Sequence, residues 1–144
     1  MQAFPAKPKP NFMLSITGMK CPRCRRGKLF TNHSAYNFKH TFSMHETCKV
    51  CGQHFNMEPG FWYGTGYVSY ALAIAFSVAS FIAWWILVGI SVSDNRVFWW
   101  LGINAVALVL MQPWLIRLSR TIYLYFFVRY DAHYEHTEPQ KFDY

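Results

Sequence analysis

Four cysteines stand in two C-x-x-C pairs, Cys21-Pro22-Arg23-Cys24 and Cys48-Lys49-Val50-Cys51, the second followed by Gly52. Two residues between thiols let both sulfurs turn to one side of a tight knuckle, and two facing knuckles supply the four soft ligands of a closed tetrahedral site. Cys21, Cys24, Cys48 and Cys51 are therefore the expected metal ligands, and structural zinc is the expected ion. A rubredoxin-like iron centre has the same ligand geometry and ranks second. Cys24 and Cys48 are separated by 23 residues, slightly more than the usual zinc spacing. Gly52 stands where a positive φ closes the second knuckle, and Gly27 is expected to act similarly after the first. Arg23, Arg25, Arg26, Lys28 and Lys49 offset the charge of four thiolates.

Other chemistries fit less well. A c-type haem needs His where Arg25 and Gly52 stand, and a thioredoxin-like pair needs a βαβ pattern that does not surround Cys21 and Cys24. His45 precedes Cys48 by three residues and His54 follows Cys51 by three. Beside four cysteines they read as surface or hydrogen-bonding side chains. His133 and His136, three apart near the C-terminus, are at most a weak metal pair. Glu58 is the one carboxylate placed to interest an acid–base chemist, and it equally suits the entry to a helix. With no nucleophile paired to a base, the chain is expected not to be an enzyme, and no small-molecule substrate is expected.

The ligands need a scaffold. The stretch 18–60 is too short for a large core, and a unit of about 40 residues usually needs a metal or disulfides to stay folded. Leu29, Phe30, Tyr36, Phe38, Phe42, Val50 and Phe55 suggest short strands, hence a β-type, zinc-ribbon-like head. Before it, 1–17 reads as a flexible basic tail extended by Pro5, Pro8 and Pro10, with a short apolar patch at Phe12–Ile16.

The remainder is membrane-like. Hydrophobic residues make up 53% of the 144 and charged residues 15%, below the roughly 25% of soluble domains. Tyr67 to Val92 holds no charge and as a helix would span about 39 Å. A first span over 61–92, a turn at 93–96 and a second span over 97–116 give a hairpin of two transmembrane helices, with Asn104, Gln112 and Pro113 in the second. Arg117 and Arg120 are expected to extend into water from the headgroup layer, followed by an interfacial helix over 117–131 and a loose polar tail over 132–144. The small residues from Ser69 to Ser80, with Asn104 and Gln112, suit close helix packing.

The formal net charge of +7 is concentrated before Gly60. Positive residues flank the cytoplasmic ends of spans, so both termini are expected in the cytoplasm of a multi-pass inner-membrane protein. The absence of an early apolar core argues against a secretory signal, and reduced thiols follow. Nucleic acid is the weaker explanation of the basic head, because attraction to anionic lipid accounts for it. Integral membrane proteins and lipid are the expected partners: as a subunit or assembly factor of a larger membrane complex, the chain is expected to dock a partner's cytoplasmic surface with its metal-stabilised head and to pack its hairpin against the partner's spans.

The run of Gly27-Lys28-Leu29-Phe30, Met44-His45-Glu46, Glu58-Pro59-Gly60-Phe61, Tyr63-Gly64, Tyr67-Val68-Ser69-Tyr70 and Arg117-Leu118-Ser119-Arg120, with the two cysteine pairs, resembles the bacterial family called domain of unknown function 983, in its Bacteroidetes form. The resemblance covers roughly 18–131. It implies a zinc-ribbon-like head with two spans and no established activity. Its genes lie in some bacteria near those for haem–copper oxidase subunits and assembly factors, which implies a respiratory accessory role.

Overall fold

A computed structural model describes residues 8–56, 60–91 and 93–141. Its helices are α1 (Phe12–Thr17), α2 (Thr65–Val88) and α3 (Arg96–Phe127), with a 3₁₀ turn over Phe61–Gly64 leading into α2. Glu58 lies outside the described residues.

Helices α2 and α3 are long and apolar enough to cross a membrane. At 24 and 32 residues they extend about 36 Å and 48 Å. The most apolar stretch of α2 has none of its residues buried in the protein, so the helix is not the core of a soluble domain. Ile74, Val78, Ile82 and Ile86 on α2 and Leu101, Val106, Val109 and Leu110 on α3 all face outward. A monomer in water does not sustain an apolar surface of that extent.

The two helices meet along a seam of small and polar side chains, as the Ser/Ala run and Asn104 foretell. Ser69 Oγ donates to Ser119 Oγ at 2.7 Å, Ser80 Oγ to Asn104 Oδ1 at 3.0 Å, and Asn104 Nδ2 to Ser77 Oγ at 3.1 Å. Trp100 Nε1 reaches Ser80 Oγ at 3.3 Å and its ring meets Phe81 edge-on at 5.0 Å. Each such bond between membrane helices contributes about 0.6–2 kcal/mol. Gln112 stays exposed and takes no part. At the head end α3 lays Tyr123 on the turn before α2: a Cβ on Gly64 would lie 2.3 Å from the Tyr123 hydroxyl.

The second span does not give way to a separate interfacial helix at residue 117. One continuous helix passes Pro113 and ends at Phe127. The reason is packing: Leu115, Leu118, Thr121 and Leu124 are buried, because the head folds over this end of α3. Nor does Arg117 reach water. It is 1% exposed and its guanidinium is enclosed by main-chain acceptors of the head. Nε donates to Thr41 O at 3.1 Å, one terminal nitrogen to Asn32 O at 2.9 Å and the other to His40 O at 3.3 Å, and the group lies 4.8 Å from the Phe30 ring centroid.

The head has no β-strand among the described residues. Three isolated antiparallel bridges, Lys20–Lys28, Phe30–Met44 and Thr47–His54, stand in place of the expected β-type ribbon. Turns fill 35–42, where Asn37, Lys39 and His40 favour bends over ladders, so no pairing propagates. The tail from 132 to 141 is likewise not loose. Tyr134 is buried, and Gln53 and Gln140 exchange two hydrogen bonds of 3.0 and 2.9 Å. In the N-terminal segment, α1 sets Phe12 edge-on to Tyr125 at 5.6 Å, and Pro10 O accepts from Arg25 at 3.1 Å. The extended, flexible reading of 1–17 therefore fails for 8–17, and 1–7 lies outside the described residues.

Replacing Arg117 with Gln removes a charged donor from three carbonyls of the head, that of Thr41 buried. The head should loosen by about 2–4 kcal/mol, read as faster amide hydrogen exchange over 31–44 with α2 unchanged.

Candidate metal centre

Each cysteine pair is shaped by the same local turn. The Arg25 N–H donates to Cys21 O at 2.7 Å and the Gly52 N–H to Cys48 O at 2.8 Å. Both residues that close these turns have positive φ, 54° at Arg25 and 70° at Gly52. The role expected of Gly52 is thus observed. Gly27 serves a different need from the one expected: a Cβ there would lie 2.3 Å from Cys48 Sγ. It is a glycine so that the opposite knuckle can approach, and its N–H points at Cys24 Sγ at 3.4 Å.

The structure brings all four predicted ligands together. Their sulfurs lie within 4.8 Å of one another, with Cys21–Cys51 and Cys24–Cys48 both at 3.7 Å. A disulfide would need about 2.05 Å. Four sulfurs about 2.3 Å from a tetrahedral metal lie about 3.8 Å apart, so the donor set fits a tetrathiolate metal site with little adjustment. Cys21, Cys24 and Cys48 are buried and Cys51 half-buried. Neither His45 nor His54 joins the cluster.

Burial and crowding set the acid–base behaviour of the cluster. Contact with Cys24, then Cys48 and Cys51, together with burial, pushes the Cys21 thiol well above the usual thiol range. Hydrogen bonds from Cys21, Cys48 and Cys51, helped by the Gly27 N–H, hold Cys24 low. Four thiolates cannot share this volume without a cation. A metal displaces the remaining protons, so its affinity falls as pH falls.

Two arginines complete the centre in ways the spacing of cysteines did not announce. Arg23, between the two ligands of the first knuckle, is 1% exposed. One terminal nitrogen donates to Cys51 O at 3.1 Å, and the other meets Thr137 O at 2.6 Å and Glu138 O at 2.8 Å and pairs with Asp131 at 3.5 Å. The Asp131 N–H returns to Arg23 O at 3.0 Å. Burial alone would raise the Asp131 carboxyl, but the Thr137 hydroxyl, the His133 N–H and Arg23 outweigh it and hold it below the usual range. Arg23 thus bolts the second knuckle and the C-terminal segment to the first knuckle. Arg25 stacks 4.6 Å from the Tyr130 centroid and 5.2 Å from that of Phe12. The hydrophobic core beside the sulfurs joins Leu29, Phe30, Phe55 and Phe61 to Leu124, Val128 and Tyr134, so head and α3 share one core. Only the position of Arg23 inside a C-x-x-C pair could have hinted at its role.

The family model described as "Protein of unknown function (DUF983)" matches residues 38–123, more than half of the chain. The matched stretch holds the second knuckle, all of α2, and α3 as far as Tyr123, with Arg117 and Arg120. No curated protein and no solved structure matches.

Gly27→Ala should lower metal affinity at least tenfold in competition with a chromogenic chelator, while Gly102→Ala, which meets open space, leaves it unchanged. Acidification should release the metal, since thiolates bind it and thiols do not. Metal content after dialysis should therefore be full at neutral pH and fall steadily below it.

Proposed function

The chain belongs to DUF983, a family of proteins of unknown function, and from that membership we propose that it is a small, non-enzymatic accessory protein of the bacterial inner membrane. In this reading it is a subunit or assembly factor of a larger complex. The α2–α3 hairpin lies in the bilayer and both termini lie in the cytoplasm, where the Lys and Arg around the head belong. The metal is zinc, held as a closed structural staple.

One observation carries this reading. The head packs on its own helix through Arg117 and the shared core, while the outer faces of α2 and α3 carry Trp85, Phe98, Trp99 and Val106 exposed. In this reading the stapled head, packed on α3, docks a partner as one body with the hairpin. Recognition of a membrane partner then falls to the outer faces of the hairpin and to exposed head residues such as Phe38 and Val50. Respiratory complexes, haem–copper oxidases among them, are the partners that the family resemblance favours.

A metal-handling or rubredoxin-like redox role is the second reading, favoured by the four-sulfur set itself, whose close spacing suits iron as well as zinc.

Tagging the chromosomal copy, extracting it in mild detergent and identifying what co-purifies tests the first reading. A stoichiometric membrane complex is expected, and a protein migrating alone at native expression would overturn it. The same preparation separates the readings by colour: an oxidised iron–tetrathiolate centre absorbs visible light and zinc does not.

A further inference from the structure

Lys20 and Lys28 are partners in an isolated antiparallel bridge. Directly opposed residues put their side chains on one face, and like charges so placed repel. Neither lysine is paired with a carboxylate among the described residues. Both open onto a cavity of about 420 Å³ whose walls include His33, Phe30, Trp114 and Arg117, and no Asp or Glu lines it. The buried Arg117 guanidinium behind it is held by three neutral carbonyls, so its charge adds to the field of the lysines. Three cations thus line a cleft that no described carboxylate reaches.

The position of this cleft decides what kind of anion fits. It sits at the head end of α3, where the apolar outer surface stops and Trp114 marks the boundary. Counting back along α3, Leu110, Ala107 and Ile103 share the face of Trp114, at helical spacings of four, seven and eleven. These three line an open apolar groove of about 820 Å³ that continues to Gly102 and Phe98. From Trp114 to Ile103 is about 16 Å of helix, close to half of a bilayer core of about 30 Å. The cleft and this apolar trough share no lining residue, but the cleft ends at Trp114 and the trough begins one turn further along α3, at Leu110.

We propose that cleft and trough together hold one anionic phospholipid, its phosphate between Lys20 and Lys28 and an acyl chain along Leu110, Ala107 and Ile103. The proposal rests on the reading of α2 and α3 as membrane spans. A partner helix would fill the trough but leave the lysines unanswered, whereas a lipid satisfies both with one molecule.

The test uses full-length protein purified in mild detergent, washed free of lipid and examined by native mass spectrometry with dioleoyl phosphatidylglycerol or dioleoyl phosphatidylcholine. The anionic lipid should be retained about tenfold better. Lys20→Gln with Lys28→Gln should bring it down to the zwitterionic level. Lys39→Gln with Lys141→Gln, which removes the same charge from other exposed positions, should preserve the preference. Gly102→Phe, which fills the trough, should lower retention of both lipids. Equal retention of the two lipids by the unaltered protein would overturn the proposal. So would binding of inorganic phosphate at the lysines without a lipid preference, which would make this a site for free anions. A protein that stays monomeric without detergent would instead overturn the membrane reading on which the proposal stands.

Discussion

Four sulfurs within 4.8 Å of one another draw two distant turns of the chain together, and the head depends on that closure. Between Cys21 and Cys51 no described residue belongs to a strand or a helix. Isolated bridges supply too few ladder bonds to hold a fold, and a segment this short buries too little apolar surface to oppose its own conformational entropy. Leu29 and Phe55 are buried in the same core as Cys21, Cys24 and Cys48, so the closure of the knuckles and the burial of these side chains go together. The same crowding makes the site costly without a cation: four buried thiolates repel, and only a bound metal turns their proximity into stabilisation.

The second constraint is the charge at the end of α3. An arginine left in hydrocarbon costs several kcal/mol, and the ordinary escape is to extend into water. Arg117 is satisfied instead by carbonyls from Asn32, His40 and Thr41 and by the face of Phe30. This fixes more than one side chain. Because those acceptors belong to a single loop, and Leu124 and Val128 belong to the head core, the head cannot swivel about α3 without breaking both sets of contacts. Arg23 then ties the C-terminal segment to the same body through Thr137 and Glu138. Cysteine cluster, helix end and tail are thus packed as one body above the hairpin.

These two constraints explain what could be read from the sequence. The ligands were legible because thiol spacing is a local property, and the spans because an absence of charge over twenty or more residues has few other meanings. Ser69, Ser77, Ser80 and Asn104 were legible as a seam for the same local reason. Arg117 and Arg23 were not, since their partners are main-chain carbonyls, which every residue has and no sequence marks. Phe38 and Phe42 suggested strands by composition, yet both side chains are exposed, and Phe42 lies under the Arg120 guanidinium at 4.9 Å. The tail looked polar and therefore loose, but Gln140 is held by Gln53, a side chain 87 positions away. The continuation of α3 beyond residue 116 was hidden similarly. Leu118, Thr121 and Leu124 look like an interfacial face until one knows that the head covers them.

The distribution of polar groups in the hairpin bears on how it can associate. Ser69, Ser77, Ser80, Asn104, Trp100 and Ser119 satisfy one another inside the seam, so they are not free to recognise anything outside it. The outer faces are left with aliphatic and aromatic side chains, and lipid tails are as apolar as those side chains. Contact there gains nothing from the hydrophobic effect and rests on shape, van der Waals packing and the few polar groups still exposed. Gln112 is one such group on α3, exposed on the turn before Arg117. An amide with no partner inside its own hairpin costs least where it meets another polar group. A hairpin built this way is selective only toward a surface that matches its relief, be that surface lipid or protein.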